Sequence, residues 1–121
     1  APIMAQYAAV EALKDGFSDN FSAVEEMRDS YDRRRRFVLQ SLKDTGLPCV
    51  EPKGAFYAFP DVHSLGMGSE ELCERLIREA GVACVPGTCF GAEGFMRLSY
   101  CVGDADLKLG LDRIEAFLAR L

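Results

Sequence analysis

Arg97 is the residue whose type and setting most invite chemistry. It stands in the middle of an apolar run, Phe95–Cys101. Alternation puts Phe95, Arg97, Ser99 and Cys101 on one face of a strand and Met96, Leu98 and Tyr100 on the other. A half-buried guanidinium is costly unless it is paired. Its planar fork fits a carboxylate bidentately, better than any other side chain. Two partners would satisfy it: an Asp or Glu of the chain itself, or the carboxylate of a ligand.

Other groups with chemical potential are weaker. His63 is the only imidazole and has no neighbouring Cys or Ser in sequence to activate, so it reads as a surface loop histidine. Cys49, Cys73, Cys84, Cys89 and Cys101 form no C-x-x-C pair and, with one His, no zinc spacing. They read as reduced thiols used as small hydrophobes in a cytoplasmic protein. Arg33–Arg36 is a dense cationic run, but successive helix residues fan out by about 100°, so the four do not make one phosphate patch. Asp29 and Asp32 lie four residues before Arg33 and Arg36, which suits a solvated helix surface with ion pairs. Pro52-Lys53-Gly54 and Pro86-Gly87-Thr88 read as turns, and neither has phosphate-loop spacing.

These groups need elements to position them. Residues 3–14 are Ala-rich and helical, with Gly16 as a stop. Ser22 with Glu25 matches a capping box for a second helix, which runs to about Asp44 with Val24, Met27, Tyr31, Val38 and Leu42 on one face. Gly46 and Pro48 end it. Short strands are expected at 48–51, 55–59, 82–85 and 95–101. Ser69 caps a helix with an apolar stripe of Leu72, Leu76, Ile77 and Ala80, closed by Gly81. Asp104 caps the last helix, with Leu107, Leu111, Ile114, Leu118 and Leu121 inward. The mixed order argues for an α+β fold, a two-layer α/β sandwich with a small, mostly antiparallel sheet and flanking helices.

Composition bounds the function. The chain has 121 residues, 49% hydrophobic and 27% charged, enough for one core and unlike a disordered segment. A net charge of −5 argues against sequence-independent nucleic-acid binding. No apolar run approaches the ~20 residues of a membrane helix, and no signal-peptide layout opens the chain. The first residue is Ala1, not Met, which fits a piece of a longer polypeptide.

Four segments together make a recognisable pattern: P-K-G-A-F-Y-A-F-P at 52–60, S-E-E-L at 69–72, G-V-A-C-V-P-G-T-C-F-G at 81–91 and G-F-M-R-L-S-Y-C at 94–101. The pattern resembles the C-terminal portion of the class I/II aminotransferases, pyridoxal-phosphate enzymes of the aspartate aminotransferase fold. The likeness spans the chain. Residues 1–15 resemble the last helix of the large domain, and 16–121 resemble the small domain.

The resemblance implies a parent enzyme of amino-acid metabolism that moves an amino group between an amino acid and a 2-oxo acid, as a homodimer. It implies that Arg97 binds the substrate α-carboxylate and that Phe56 lines the substrate pocket, although an aromatic in a sheet also reads as core. The family's cofactor lysine has no counterpart here. Lys14, Lys43, Lys53 and Lys108 all lie outside any matching motif. No cofactor is therefore expected on this chain and no turnover by it alone; pyridoxal phosphate would belong to the full-length parent and its large domain. A lyase or synthase of the same fold shares the carboxylate-binding strand and stays open. So does a stand-alone carboxylate-binding or interaction module.

Overall fold

The computed structural model describes all residues, Ala1–Leu121. The order of elements is α1 (Ile3–Asp19), α2 (Ser22–Asp44), β1 (Tyr57–Ala58), α3 (Ser69–Arg75), β2 (Val85–Pro86), β3 (Met96–Ser99) and α4 (Asp104–Leu118). A wide π turn, Leu76–Ala80, continues α3, and a 3-10 turn, Gly87–Phe90, follows β2. By internal packing, the chain divides into Ala1–Asp32 and Arg33–Leu121.

In the first unit, α1 does not stop at Gly16. It runs on to Asp19 and ends at Asn20, which is left-handed at φ 59°. Gly16 is needed for a different reason. The Phe21 ring folds back on it, and a Cβ there would lie 2.3 Å from the ring. Phe21 is itself left-handed at φ 57°, a strained state for an aromatic residue. Its ring meets Phe17 edge-on, with centroids 5.2 Å apart. The expected capping box is replaced too: the Ser22 hydroxyl donates to Asp19 Oδ2 at 2.6 Å. That bond is the main cause holding the Asp19 carboxyl below its ordinary range. Ile3, Tyr7, Val10 and Phe17 recur at helical spacing and are exposed.

In the second unit, α2 ends as the sequence predicts. Gly46 is left-handed at φ 76°, and the Leu47 N–H donates to Leu42 O at 2.9 Å. Of the expected stripe only Val38 and Leu42 are buried; Val24 and Met27 are exposed. Two arginines of the run, Arg34 and Arg35, make tertiary pairs that the helical spacing did not contain. Arg34 Nε bonds Asp104 Oδ1 at 2.6 Å, and Arg35 bonds Glu51.

The sheet is antiparallel throughout, in the order β1-β3-β2. Tyr57 pairs with Ser99 and Ala58 with Leu98; Val85 pairs with Arg97 and Pro86 with Met96. The strands are shorter than the apolar runs suggest. Residues 48–51 contribute one isolated bridge, Cys49 to Pro60. Ala55 is left-handed at φ 58°, which delays β1 to Tyr57.

One sheet face buries Ala58, Met96, Leu98 and Tyr100. Val38, Leu98, Leu107, Leu111 and Ile114 line a common cleft of about 330 Å³, which brings α2 and α4 to that face. The α4 stripe closes on Phe117, which is 1% exposed, rather than on Leu118. Leu121 lies past the helix end and is half exposed. Truncating a core side chain such as Leu42 to Ala would cost about 2–5 kcal/mol. Along α3, Leu72, Cys73 and Leu76 are buried while Ile77 is exposed.

Candidate functional site

Arg97 lies at the centre of β3, the middle strand, and its face is set by alternation. Met96 and Leu98 are buried; Arg97 is half-buried and Ser99 exposed. Antiparallel pairing places Tyr57 on this same face, diagonal to Arg97 through the Tyr57–Ser99 pair. The Arg97 Cζ lies over the Tyr57 ring, 4.5 Å from its centroid. It also lies over the Phe90 ring, at 4.6 Å. Because β1 and β2 flank β3 on opposite edges, Tyr57 comes from one side and Phe90, just after β2, from the other.

The partner that the sequence left undecided is now decided within the chain. No Asp or Glu forms an ion pair with Arg97. No buried side-chain nitrogen or oxygen is left without a partner, so the edge of the guanidinium reaches solvent. The charge is thus held by two ring faces, each such contact being worth roughly 0.5–2 kcal/mol, while its hydrogen-bonding edge is open. Low-dielectric rings beside a cation strengthen any charge-assisted bond made at that edge.

The ring row extends further. Phe90 meets Phe59 edge-on at 5.9 Å, and Phe59 stacks on Phe95 at 5.2 Å. His63 closes the row edge-on to Phe95, at 5.5 Å. His63 is exposed, as a loop residue should be, but it has a partner the sequence did not reveal: its Nδ1 lies 2.8 Å from Asp61 Oδ1. Asp61 also accepts the His63 backbone N–H at 2.9 Å, and these bonds hold the Asp61 carboxyl below its ordinary range. The ring packs so tightly on Gly94, at φ 78°, that a Cβ there would lie 2.1 Å from Nε2. No nucleophile accompanies this pair.

Phe56 adjoins the Tyr57 side of the Arg97 face. Its ring lies 4.7 Å from that of Tyr57, tilted by 50°, and its carbonyl accepts the Tyr100 N–H at 3.0 Å.

The Pro86-Gly87-Thr88 turn is no anion cradle. The Gly87 N–H donates to Phe95 O at 2.8 Å and the Ala92 N–H to Gly87 O at 2.9 Å. Nor does Ser69 cap α3. Its N–H and hydroxyl donate to Glu93, at 2.8 and 2.6 Å, so the cap is a carboxylate from the loop before β3. These bonds hold the Glu93 carboxyl below its ordinary range. All five cysteines are free thiols. Burial pushes Cys73 up to about 11 and Cys84 up to about 12.

Comparison with known proteins identifies the scaffold that carries Arg97. The family model for aminotransferase class I and II matches residues 1–114. This chain belongs to the class I and II aminotransferase family. An aspartate aminotransferase of Pyrococcus abyssi is 49% identical over 93% of this chain and 29% of its own length. An aromatic-amino-acid aminotransferase of Thermococcus litoralis is 48% identical over the same share of this chain and 29% of its own. The solved aromatic aminotransferase of Pyrococcus horikoshii superposes with a TM-score of 0.89 at 47% identity, over 95% of this chain and 31% of that one. The chain therefore spans about 30% of the length of the aminotransferases it matches.

The family implies pyridoxal phosphate, and the residues present do not fit it. The cofactor aldehyde needs a lysine amine in a sheltered site. Lys14 is bound to Glu11 at 2.8 Å on an exposed helix face, and Lys108 to Asp112 at 2.6 Å on another. Lys43 and Lys53 are exposed. None accompanies Arg97 on the aromatic face. The sequence singles out Arg97 but gives no sign of Tyr57 and Phe90 as its neighbours. Parity along β1 would have put Tyr57 on the right face once the register was known. The turn that aims Phe90 leaves no periodic signal.

Proposed function

We propose that this chain is the small-domain portion of a pyridoxal-phosphate-dependent aminotransferase that exchanges an amino group between an amino acid and a 2-oxo acid. The observation that carries this is Arg97, a half-buried guanidinium with no acid of the chain as partner, on a scaffold of that family. Arg97 receives the substrate α-carboxylate through two parallel N–H···O bonds. Fixing the carboxylate fixes the direction of the α-amino group, the entropic part of the catalytic task. Phe56 lines the approach from the side of Tyr57.

Pyridoxal phosphate is held by residues outside this chain, in a larger domain to which residues 1–15 also belong; the whole enzyme works as a homodimer. Five free thiols fit a reducing compartment, the cytoplasm.

The test is a segment exchange. This chain replaces the corresponding residues of the Pyrococcus abyssi aspartate aminotransferase, and amino donor, 2-oxo acceptor and both products are followed together. Stoichiometric transfer that falls about 10²–10³-fold in kcat/KM on Arg97→Ala supports the reading. Elimination without acceptor consumption, or transfer indifferent to Arg97, overturns it.

A further inference from the structure

We propose that Tyr57 and Phe90 are positioning residues for Arg97: an aromatic clamp that holds the guanidinium plane so that its nitrogen edge faces an incoming carboxylate. The proposal rests on the reading of Arg97 as the carboxylate anchor and adds to it the groups that aim it.

An arginine on a strand has four rotatable side-chain bonds, and an open edge alone does not fix where the fork points. The two rings do. Cζ lies 4.5 Å from one centroid and 4.6 Å from the other, with the rings arriving from opposite sheet edges. A cation between two negative ring faces gains from both and loses freedom to swing out of plane. Each ring is itself buttressed. Phe56 packs against Tyr57 at 4.7 Å. Phe59 meets Phe90 edge-on at 5.9 Å and is in turn stacked on Phe95.

Phe90 is the more telling of the two. It is 48% exposed, so core packing does not explain an aromatic there. Its ring contacts are Arg97 and Phe59. Its backbone is fixed by the tight turn before it, where a Cβ on Gly87 would lie 1.9 Å from Ala92 O. Leu at position 90 would satisfy a hydrophobic requirement as well as Phe does, but it has no ring face to offer a cation. That difference makes the proposal sharp.

The experiment uses the 121-residue chain, ¹⁵N-labelled, with 2-oxoglutarate as the carboxylate probe. Wild type, Tyr57→Leu, Phe90→Leu and the ring-preserving Tyr57→Phe and Phe90→Tyr are compared. The side-chain Nε–Hε signal of Arg97 is read for ring-current shift and restricted guanidinium rotation, then for its response to the probe. The clamp predicts a shielded, slowly rotating Arg97 in wild type. Each Leu variant should lose that signature and bind the probe about three- to tenfold more weakly, and the ring-preserving variants should regain both. Leu variants that keep the signature and the affinity overturn the clamp while leaving Arg97 as anchor. A wild-type Arg97 signal that does not respond to the probe at all overturns the anchor reading, and the clamp with it.

Discussion

The Arg97 guanidinium carbon sits 4.5 Å from the centre of the Tyr57 ring, one residue pair diagonally across the sheet. That relationship joins the levels of this protein. Alternation along β3 puts Arg97 on the face opposite the buried Met96, Leu98 and Tyr100. Antiparallel register puts Tyr57 beside it, and no acid of the chain forms an ion pair with it.

The turn that delivers Phe90 depends on Gly87. A Cβ there would meet Ala92 O at 1.9 Å and Phe95 O at 2.7 Å, both backbone atoms that cannot swing away. Gly87→Ala is expected to lower stability by about 3 kcal/mol, since overpacking against fixed backbone lies at the upper end of such costs. Thermal unfolding checks it, and an unchanged Tm would mean that the turn relaxes freely.

Glu93 ties the loop before β3 to the start of α3. Its folded-state pKa lies below the ordinary value of 4.5, chiefly through the Ser69 hydroxyl bond. A depressed carboxylate stabilises the fold above its unfolded pKa and loses that contribution as pH falls through the folded pKa. Wild type should therefore exceed Glu93→Gln in stability at pH 7, and the gap should close from about pH 5 downward. Denaturant melts of both proteins across that range read the gap; a constant gap refutes the assignment.

Surface lysines should not hold the cofactor. Incubating the chain with pyridoxal phosphate, reducing with borohydride and measuring intact mass should give scattered substoichiometric labelling of Lys14, Lys43, Lys53 and Lys108. A single stoichiometric adduct on one of them would show a cofactor site that the ion pairs and exposure of these lysines do not suggest.

The sequence is most readable where periodicity is long. The 23-residue α2, the alternation of β3 and the buried spacing from Leu107 to Ile114 follow from pattern alone. It is least readable where a tertiary contact overrides a local signal. Gly16 looks like a stop but makes room for the Phe21 ring. Ser69 looks like a cap but is itself bound by Glu93, distant in sequence. Leu118 fits the α4 stripe, yet the 3.6-residue turn brings Phe117 inward instead. At the site, Arg97 was legible because a charge in an apolar strand demands a partner. Its aromatic flanks were not, because nothing local encodes which ring a register or a turn will bring.

The most direct measurement is a titration of the ¹⁵N-labelled chain with 2-oxoglutarate, followed at the Arg97 Nε–Hε signal and repeated in Arg97→Lys. The carboxylate-anchor reading predicts saturable shifts centred on Arg97 and weaker binding by about tenfold or more in Arg97→Lys, which keeps the charge but loses the fork. Equal binding in the variant, or shifts centred on Arg33–Arg36 with Arg97 silent, would contradict it.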